Sequence, residues 1–147
     1  MKEIEGDLIK LANKGVFDVI GHGCNCFCTM GKGIALSMKN AYPEIVMVDN
    51  CTRKGDKNKL GDFSYVDYGE LIVLNLYTQY KYGSDVPDID YSAVRGCMQR
   101  IKKKYSGMRI GLPLIGAGLG GGDWNRISKI IEEELKDEDV TIVHFKK

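Results

Sequence analysis

Two glycine-rich segments are the part of this sequence best suited to holding a ligand. Each lies between a predicted strand and a predicted helix, and glycine lets a ligand approach the main chain because it has no Cβ atom. The start of a helix adds unpaired N–H groups and a partial positive charge, which suit phosphate. Either segment alone is better interpreted as a tight turn, but two together predict a cleft for a diphosphate. Their residues are Gly31, Lys32, Gly33, Ile34 and Ala35 in the first segment, and Gly116, Ala117, Gly118, Leu119, Gly120 and Gly121 in the second.

The second segment fits neither of two common nucleotide-binding motifs. A P-loop requires a lysine after its last glycine, whereas Gly121 is followed by Gly122 and Asp123. The segment matches the G-x-G-x-x-G pattern of dinucleotide-binding folds, but those folds place an acidic residue at the end of the next strand. Here the residue at the right distance, Asp139, begins that strand instead. Both interpretations are therefore rejected.

His22 and Asp123 are the candidate catalytic residues. A histidine takes up a proton near neutral pH, as water attack on a phosphomonoester requires, and His22 ends a predicted buried strand. Asp123 follows the second glycine segment, where its carboxylate would orient water beside a phosphate. Each also has a structural interpretation, His22 as a buried imidazole bonded to the backbone and Asp123 as the N-cap of the helix that follows. The two roles of Asp123 are compatible.

The cysteines near His22 do not predict a metal site. Four soft ligands alternate along an extended segment, whereas zinc ligands usually converge around a turn. The alternation also sends His22 and Asn25 to opposite faces of the strand, unless the strand breaks near Gly23. The odd number of cysteines argues against a disulfide framework and favours a reducing, cytoplasmic location. The four alternating residues are His22, Cys24, Cys26 and Cys28, and the chain has 5 cysteines in all.

Strands alternate with helices along the chain, which predicts a layered α/β domain with a mainly parallel or mixed sheet. At 147 residues the chain suits a single domain over residues 1–147. Short β-branched runs indicate strands, and apolar residues three and four apart indicate helices. The predicted strands cover residues 4–8, 16–23, 63–66, 71–77, 108–115 and 140–145, and the predicted helices cover residues 34–41, 44–53, 91–105 and 124–135.

Composition narrows the classes of partner. With 44% hydrophobic and 28% charged residues, the sequence is that of a folded, soluble globular protein. The net charge of +1 argues against nucleic-acid binding through bulk charge. No run approaches the ~20 apolar residues of a membrane span, and the first residues lack the apolar core of a signal peptide. We therefore expect no nucleic-acid or membrane partner.

The order of the motifs resembles that of the macrodomains, which are ADP-ribose-binding modules. The resemblance rests on Gly6-Asp7-Leu8, on Asn25 and on the two glycine segments, and it covers essentially the whole chain. The stretch from His22 to Cys26 is most similar to that of the yeast-type ADP-ribose-1''-phosphate phosphatases, and the similarity extends to the terminal ADP-ribose protein glycohydrolases. It implies a three-layer α/β/α fold, with a mixed sheet and helices on both faces.

The resemblance also implies ligand contacts. Asp7 would accept a hydrogen bond from the adenine amino group, and the Leu8 N–H would meet a ring nitrogen. Asn25 would bind the distal ribose, the two glycine segments would hold the two phosphates, and Phe145 would cover the adenine. From the residues alone, Asp7 is more typical of a turn than of a ligand contact, and Asn25 is as typical of a turn as of a ligand contact. Phe145 is more typical of an ordinary core position.

The activity implied is hydrolysis of ADP-ribose 1''-phosphate to ADP-ribose and phosphate, with His22 as general base and without a metal or other cofactor. The alternatives are a non-catalytic reader of ADP-ribose and an ADP-ribosyl ester hydrolase acting on modified protein. The glycohydrolase branch uses a lysine after the central strand's threonine and an aspartate in the second loop. Here Gln79 follows Thr78 and Gly120 occupies the loop position, which disfavours lysine-dependent removal. We expect a monomer whose partner is a small ADP-ribose derivative or an ADP-ribosylated protein.

Overall fold

The computed structural model describes residues 1–82, 88–118 and 121–145. These residues form one six-stranded sheet with helices on both faces. The strands are β1 (Lys2–Gly6), β2 (Val19–Cys24), β3 (Phe63–Asp67), β4 (Ile72–Tyr77), β5 (Arg109–Leu112) and β6 (Asp139–Phe145). The helices are α1 (Leu8–Asn13), α2 (Gly33–Ala41), α3 (Glu44–Asn50), α4 (Tyr91–Tyr105) and α5 (Trp124–Glu134), with a short 3₁₀ turn at Lys57–Lys59.

The sheet is mixed, as predicted. Its strand order is β1-β6-β5-β2-β4-β3, and only the β3–β4 pair is antiparallel. All strands except β3 run parallel to one another, so their carboxyl ends meet at one edge of the sheet. The three-layer α/β/α macrodomain fold is therefore confirmed.

Two hydrophobic layers cover the two faces of the sheet. Helices α4 and α5 pack on one face, where residues such as Met98 and Ile127 are fully buried. Helices α1 to α3 pack on the other face through residues such as Met38 and Ile45. The side chains of β2 alternate between the layers because successive residues of a strand point to opposite faces. The two layers therefore support the loops at the carboxyl edge from both sides.

The first strand, predicted between Ile4 and Leu8 with a turn at Gly6-Asp7, ends at Gly6, and helix α1, which was not predicted, begins at Leu8. The strand ends at Gly6 because Asp7 acts as the N-cap of α1: its Oδ1 accepts hydrogen bonds from the N–H groups of Ile9 and Lys10 at 3.0 and 3.1 Å. Asp7 is thus a turn residue between β1 and α1, which confirms the turn interpretation. The apolar residues Leu8 and Ala12, one helical turn apart, are the sequence signal that identifies this helix.

Other element boundaries shift by a few residues. Strand β5 ends at Leu112, before Pro113, which has no N–H group for a sheet hydrogen bond. Helix α3 ends at Asn50, although the helix was predicted to residue 53. In the described part of the chain, no helix has both the length and the apolar character needed to cross a membrane.

Candidate functional site

The two glycine segments lie at the carboxyl edge of the sheet, in the connections that follow β2 and β5. These strands are neighbours, but the chain leaves them in opposite directions, to α2 on one face and to α5 on the other. Divergence of this kind opens a crevice, and ligands of open α/β sheets bind at such a point. The structure therefore brings both predicted segments to one candidate cleft.

The first glycine segment leaves the start of α2 open to an anion. Lys32 occupies the N-cap position, but its side chain makes no capping hydrogen bond, and Gly33 begins the helix with a φ of 59°. A Cβ atom added to Gly31 would meet no atom within 4 Å. The N–H groups of the first turn thus have no side-chain cap from Lys32, and the backbone just before them is open at Gly31, which are properties of an anion-binding helix start.

The second segment is held in shape by its own backbone. Gly122 N donates to Gly116 O at 2.7 Å, and Gly121 N donates to Gly118 O at 3.1 Å. Gly116 has a φ of 72°, a left-handed conformation that favours glycine, and a Cβ atom there would collide with the side chain of Ile89. A Cβ atom on Gly118 would meet open space. Two of the predicted ligand-binding residues, Leu119 and Gly120, lie outside the described residues.

Asn25 organises the loop that follows β2. Its side-chain oxygen accepts a hydrogen bond from Phe27 N at 2.8 Å, and its amide nitrogen donates to Thr29 Oγ1 at 2.7 Å and to Thr29 O at 3.0 Å. The residue is 8% exposed. The turn interpretation of Asn25 is thus confirmed, and its contact with a distal ribose stays a prediction.

His22 lies in the layer between the sheet and α3, on the face opposite Gly116. Strand β2 continues unbroken to Cys24, so the strand does not break near Gly23 and the alternation of side chains is kept. His22 is fully buried, and its Nε2 lies 2.8 Å from Asn75 Oδ1. Because that oxygen is an acceptor, Nε2 carries the proton.

The environment of His22 does not suit a general base. Burial lowers its pKa to about 4, although the hydrogen bond with Asn75 acts in the opposite direction. The imidazole is therefore neutral at neutral pH and out of contact with solvent. We do not carry forward the predicted role of His22 as the base, because the geometry gives it the structural role that the sequence left as the alternative.

Asp123 caps α5. Its Oδ1 accepts a hydrogen bond from Asn125 N at 2.9 Å, and its own N–H donates to the Tyr91 hydroxyl at 3.0 Å. The cap interpretation is confirmed. The side chain is also exposed at the end of the second glycine segment, where a carboxylate remains accessible to a ligand or to water.

Two substitutions separate the capping role of Asp123 from a chemical one. Asp123→Ala should lower the free energy of unfolding by about 1 kcal/mol, because it removes the capping oxygen. Asp123→Ser keeps a capping oxygen and should lower it by less than about 0.5 kcal/mol. Urea denaturation of the two variants measures this difference. An equal loss of unfolding free energy in both variants would contradict the capping role. If the wild-type protein is a hydrolase, full activity in Asp123→Ser would exclude a catalytic carboxylate.

The residues predicted to contact adenine lie together at the other end of the carboxyl edge. Phe145 pairs in register with Gly6, the residue before Asp7, and it is 65% exposed. The core interpretation of Phe145 was therefore wrong: the side chain is available to cover a flat ligand. Leu8 is the first residue of α1, so its N–H belongs to the unpaired groups at a helix start.

Three aromatic side chains cluster beside the loop that carries Asn25. The rings of Phe27 and Tyr80 are 4.9 Å apart between centroids, and those of Phe27 and Tyr82 are 6.0 Å apart. Lys57 Nζ lies 4.9 Å from the centre of the Tyr80 ring. We refer to Phe27, Tyr80 and Tyr82 as the aromatic cluster. Tyr82 is 57% exposed, so the cluster offers a surface for stacking.

A buried polar network joins the loop after β2 to α3. Lys59 Nζ donates to Thr52 Oγ1 at 2.8 Å, and that hydroxyl donates to Asp49 O at 2.6 Å. The Tyr77 hydroxyl donates to Asp49 Oδ1 at 2.7 Å, so Tyr77 lies inside the protein and does not line the cleft. Cys28, whose φ is 58°, contacts Asp49 O through its thiol at 3.3 Å. The network holds the loop in this left-handed conformation.

Thr78 lies at this edge and has a buried hydroxyl of a kind that sequence reasoning did not predict. It follows β4, is fully buried, and its hydroxyl has no hydrogen-bond partner among the described residues. Its position after a strand at the carboxyl edge was the available signal. A metal is not suggested by the geometry: the part of the chain that the structure describes contains no group of three or more histidine, cysteine or carboxylate residues arranged to hold an ion.

Comparison with known proteins places the chain among macrodomain-like proteins. It is 36% identical to the uncharacterized 17.5 kDa protein in the tk-vs intergenic region of enterobacteria phage T4, over 99% of this chain and 96% of that protein. It is 27% identical to the DNA ADP-ribosyl glycohydrolase of Mycobacterium tuberculosis over 93% of this chain, but it spans only 40% of that protein's length.

The fold is also similar to that of solved macrodomain structures. The macrodomain of Thermus aquaticus DarG superposes with a TM-score of 0.74 and 25% identity, over 99% of this chain and 97% of that one. A comparison with protein-family models gives no match. The identity and coverage shared with the phage protein are those of one family. The chain therefore belongs to the same family as the 17.5 kDa protein of phage T4, and its fold is that of the macrodomains.

Proposed function

We propose that this chain binds ADP-ribose along the carboxyl edge of the sheet and hydrolyses the bond that joins the distal ribose to a macromolecule. The observation that carries the proposal is the start of α2, which has no side-chain cap, at the same edge of the sheet as a second glycine segment with an open face at Gly118. Two backbone surfaces of this kind suit the two phosphates of a diphosphate. The name of the mycobacterial relative supports the same ligand.

In this proposal the ligand lies across the edge, from β1 to β2. Both hydrogen bonds that Asp7 accepts go to Oδ1, so Oδ2 would accept from the adenine amino group. The Leu8 N–H would donate to a ring nitrogen, and the exposed ring of Phe145 would cover the base. The diphosphate would lie between the glycine segments, which places the distal ribose beside Asn25.

Hydrolysis then requires a water molecule beside C1'' of the distal ribose. The water oxygen forms a bond to C1'', and the bond from C1'' to the leaving group breaks with its electron pair going to the leaving atom. One proton of the water passes to that leaving atom, and the other stays on the new C1'' hydroxyl of ADP-ribose. Amides of the second segment would bind the diphosphate and so fix the distal ribose in position for the water. Since His22 is buried and neutral, Asp123 is the titratable side chain we assign to orienting the water.

We propose ADP-ribosylated DNA as the substrate class. The aromatic cluster lies beside Asn25, where the group attached to the distal ribose would emerge, and nucleobases stack on such rings. Lys57 at the cluster, with exposed Arg53 and Lys54 in the same loop, would contact phosphates. A DNA substrate differs from our expectation that no nucleic acid is a partner. That expectation was based on the net charge of the whole chain, whereas these cations are concentrated in one loop.

A second candidate is the ADP-ribose-1''-phosphate phosphatase activity expected from the sequence. The observation that favours it is the exposed Asp123 carboxylate at the end of a glycine segment whose amides could hold a terminal phosphate. Its weakness is the loss of His22 as a base. The two candidates differ in the leaving group, and the binding cleft is the same in both.

Titration calorimetry with ADP-ribose tests the cleft. Gly31→Glu and Gly118→Glu should each weaken binding by about tenfold or more, because a carboxylate would stand where a phosphate approaches. Neither substitution should lower the melting temperature, because a Cβ atom at each position meets open space. Asn40→Glu adds the same charge on an exposed part of α2 and should bind normally. Unchanged affinity in both glycine variants would contradict this cleft.

Turnover then identifies the leaving group. The wild-type protein is incubated with an ADP-ribosylated single-stranded DNA oligonucleotide, an ADP-ribosylated protein and ADP-ribose 1''-phosphate, and the release of ADP-ribose or phosphate is measured. We expect the oligonucleotide to be hydrolysed fastest. Fastest hydrolysis of the phosphate ester would favour the phosphatase, and binding without turnover of any substrate would leave a reader of ADP-ribose.

A further inference from the structure

An open groove of about 550 Å³ runs along one face of α4, beside the chain that follows the 3₁₀ turn. We refer to it as the α4 groove. Its floor is backbone, because Gly61 and Gly96 meet without side chains: a Cβ atom added to Gly96 would lie 3.1 Å from Gly61 Cα. Arg100 and Lys103, one and two turns further along α4, border the groove. The proposed function uses none of these residues.

The α4 groove begins at the carboxyl end of β4, beside the candidate cleft. Gly61 N donates to Tyr77 O at 3.0 Å, and Asp90 N donates to Thr78 O at 2.8 Å, so the two walls of the groove flank the end of this strand. Tyr80 of the aromatic cluster is two residues beyond Thr78. A strand that leaves the candidate cleft over the aromatic cluster therefore meets the start of the groove.

Positive charge is concentrated along the α4 groove. Residues 53–62 and 99–104 together contain eight lysine or arginine residues and two aspartates, whereas the whole chain has a net charge of +1. The two segments lie against each other, since Arg100 Nε is 3.6 Å from Asp62 Oδ1. Lys103 is exposed. A local concentration of cations of this kind attracts a polyanion, even on a protein that is nearly neutral as a whole.

Two carboxylates stand beside these cations, and both are engaged by the fold. Asp90 is the N-cap of α4, where its Oδ1 accepts a hydrogen bond from Ala93 N at 2.9 Å. Asp62 Oδ1 accepts from Phe63 N at 2.8 Å and forms the ion pair with Arg100, whose side chain is 59% exposed. Because an exposed ion pair of this length is weak, a phosphate can compete with Asp62 for Arg100.

An exposed aromatic ring lies near the end of the groove that carries Lys103. Tyr65 on β3 is 43% exposed, and Nζ of Lys104, the next residue of α4, lies 3.7 Å from the centre of its ring. Exposed rings and cations therefore occur together at both ends of the α4 groove, with the aromatic cluster at the other end. Surfaces that bind single-stranded nucleic acid combine these two features, since bases stack on rings and phosphates contact cations.

We propose that the α4 groove binds the single-stranded DNA that flanks the modified nucleotide. The inference rests on the proposed function, in which ADP-ribosylated DNA is the substrate. Arg100 and Lys103 contact phosphates, and the floor of Gly61 and Gly96 lets the strand approach the main chain. Helix α4 rises about 20 Å from its N-cap to Lys103, which gives room for several nucleotides. Contacts this far from the reacting bond hold substrate and transition state equally, so they lower KM and leave kcat unchanged.

Unmodified oligothymidylate tests the groove without requiring hydrolysis. Fluorescence anisotropy compares a strand of about 3 nucleotides with one of about 12, which is long enough to span the groove. We expect the longer strand to bind about tenfold more tightly or better, and the double variant Arg100→Gln, Lys103→Gln to remove most of this advantage. In the double variant, the slope of log affinity against log salt concentration should become shallower by about 1.4, since each phosphate contact on a single strand contributes about 0.7.

A matched control and a variant of opposite sign complete this test. The control Lys39→Gln, Lys129→Gln removes the same charge at exposed positions on α2 and α5, and it should bind the longer strand as the wild-type protein does. Asp62→Asn keeps the oxygen that accepts from Phe63 N but releases Arg100 from its ion pair. Its affinity for the longer strand should rise by about twofold or more.

Three results would overturn the proposed groove. They are equal affinity of the wild-type protein for the two strands, wild-type affinity for the longer strand in the double variant, and weaker binding of that strand by Asp62→Asn. On an ADP-ribosylated oligonucleotide of about 12 nucleotides, the double variant should have a higher KM and an unchanged kcat. Its calorimetric affinity for free ADP-ribose should equal that of the wild-type protein, which also shows that the variant is folded.

Failure of the proposed function has a different signature. The wild-type protein would then neither bind ADP-ribose nor hydrolyse the ADP-ribosylated strand, while the binding of unmodified oligothymidylate would still depend on Arg100 and Lys103. That result would support the α4 groove as a DNA-binding surface and overturn its role in holding a substrate.

Discussion

The protein should lose about 3 kcal/mol of unfolding free energy between pH 7 and pH 4 because of His22 alone, since one pKa unit corresponds to about 1.4 kcal/mol. Burial lowers the pKa of His22 from 6.5 to about 4. Below pH 6.5 the unfolded chain therefore binds a proton that the folded protein excludes. Stability from this group is fully present above pH 6.5, and it is lost as the pH falls towards 4.

Urea denaturation at a series of pH values checks this result. His22→Gln keeps an N–H group for Asn75 and removes the titrating ring, so its unfolding free energy should fall less steeply over this range. Carboxylates such as Glu138, whose pKa is lowered by hydrogen bonds from Gly107 and Ser106, also contribute to acid unfolding. They are present in both proteins, and the difference between the two curves isolates His22.

The second histidine provides the control. His144 is partly exposed and lies 2.8 Å from Glu3 through Nε2. His144→Gln should therefore leave the steep fall below pH 6.5 in place. A wild-type protein whose stability has the same pH dependence as that of His22→Gln would show that the buried imidazole does not titrate as we expect.

Lys59→Met should lower the free energy of unfolding at pH 7 by about 1–2 kcal/mol, because it removes the buried hydrogen bond to Thr52 and the positive charge that favours the ionised Asp49 carboxylate. Asp49 is 1% exposed and Lys59 is 9% exposed. Burial raises the pKa of Asp49, and the hydrogen bond from Tyr77 and the charge of Lys59 oppose this shift. Without Lys59, the charge on Asp49 is held only by that hydrogen bond. The loss should shrink as the pH falls, since protonated Asp49 carries no charge.

A double substitution separates the charge from packing. Asp49→Asn in the Lys59→Met background removes the unpaired charge and should recover a large part of the lost stability, measured by urea denaturation at pH 7. Lys54→Met, at an exposed position in the same loop, should change stability by no more than about 0.5 kcal/mol. If the asparagine gives no recovery, the stem of Lys59 contributes through packing, and the buried charge is not the cause.

The sequence was most informative where a local pattern determines local structure. Alternating strands and helices predict the layered α/β fold, and an acidic residue before Trp124 predicts the cap of α5. The glycine segments are recognised because a ligand must approach the backbone there. These features depend on neighbours in sequence, so one chain is enough to predict them.

Features that depend on distant residues were missed or misjudged. The burial of His22 depends on Asn75 and on α3, which no spacing around residue 22 reveals. The hydroxyl of Thr78, which has no hydrogen-bond partner among the described residues, is buried against Gly23 on another strand. Phe145 resembles a core residue in sequence, but it ends the strand beside the edge strand and so is left exposed. Each depends on how strands are paired.

The tethering of the loop after β2 has a consequence for the energetics of association. The Asn25 side chain bonds within the loop, Cys26 N donates to Tyr80 O at 3.0 Å, and Cys28 is anchored to Asp49. The conformational entropy of this loop is therefore lost when the protein folds, and not when a ligand binds. Affinity then depends on the contacts themselves, and arrival of the ligand need not wait for loop closure.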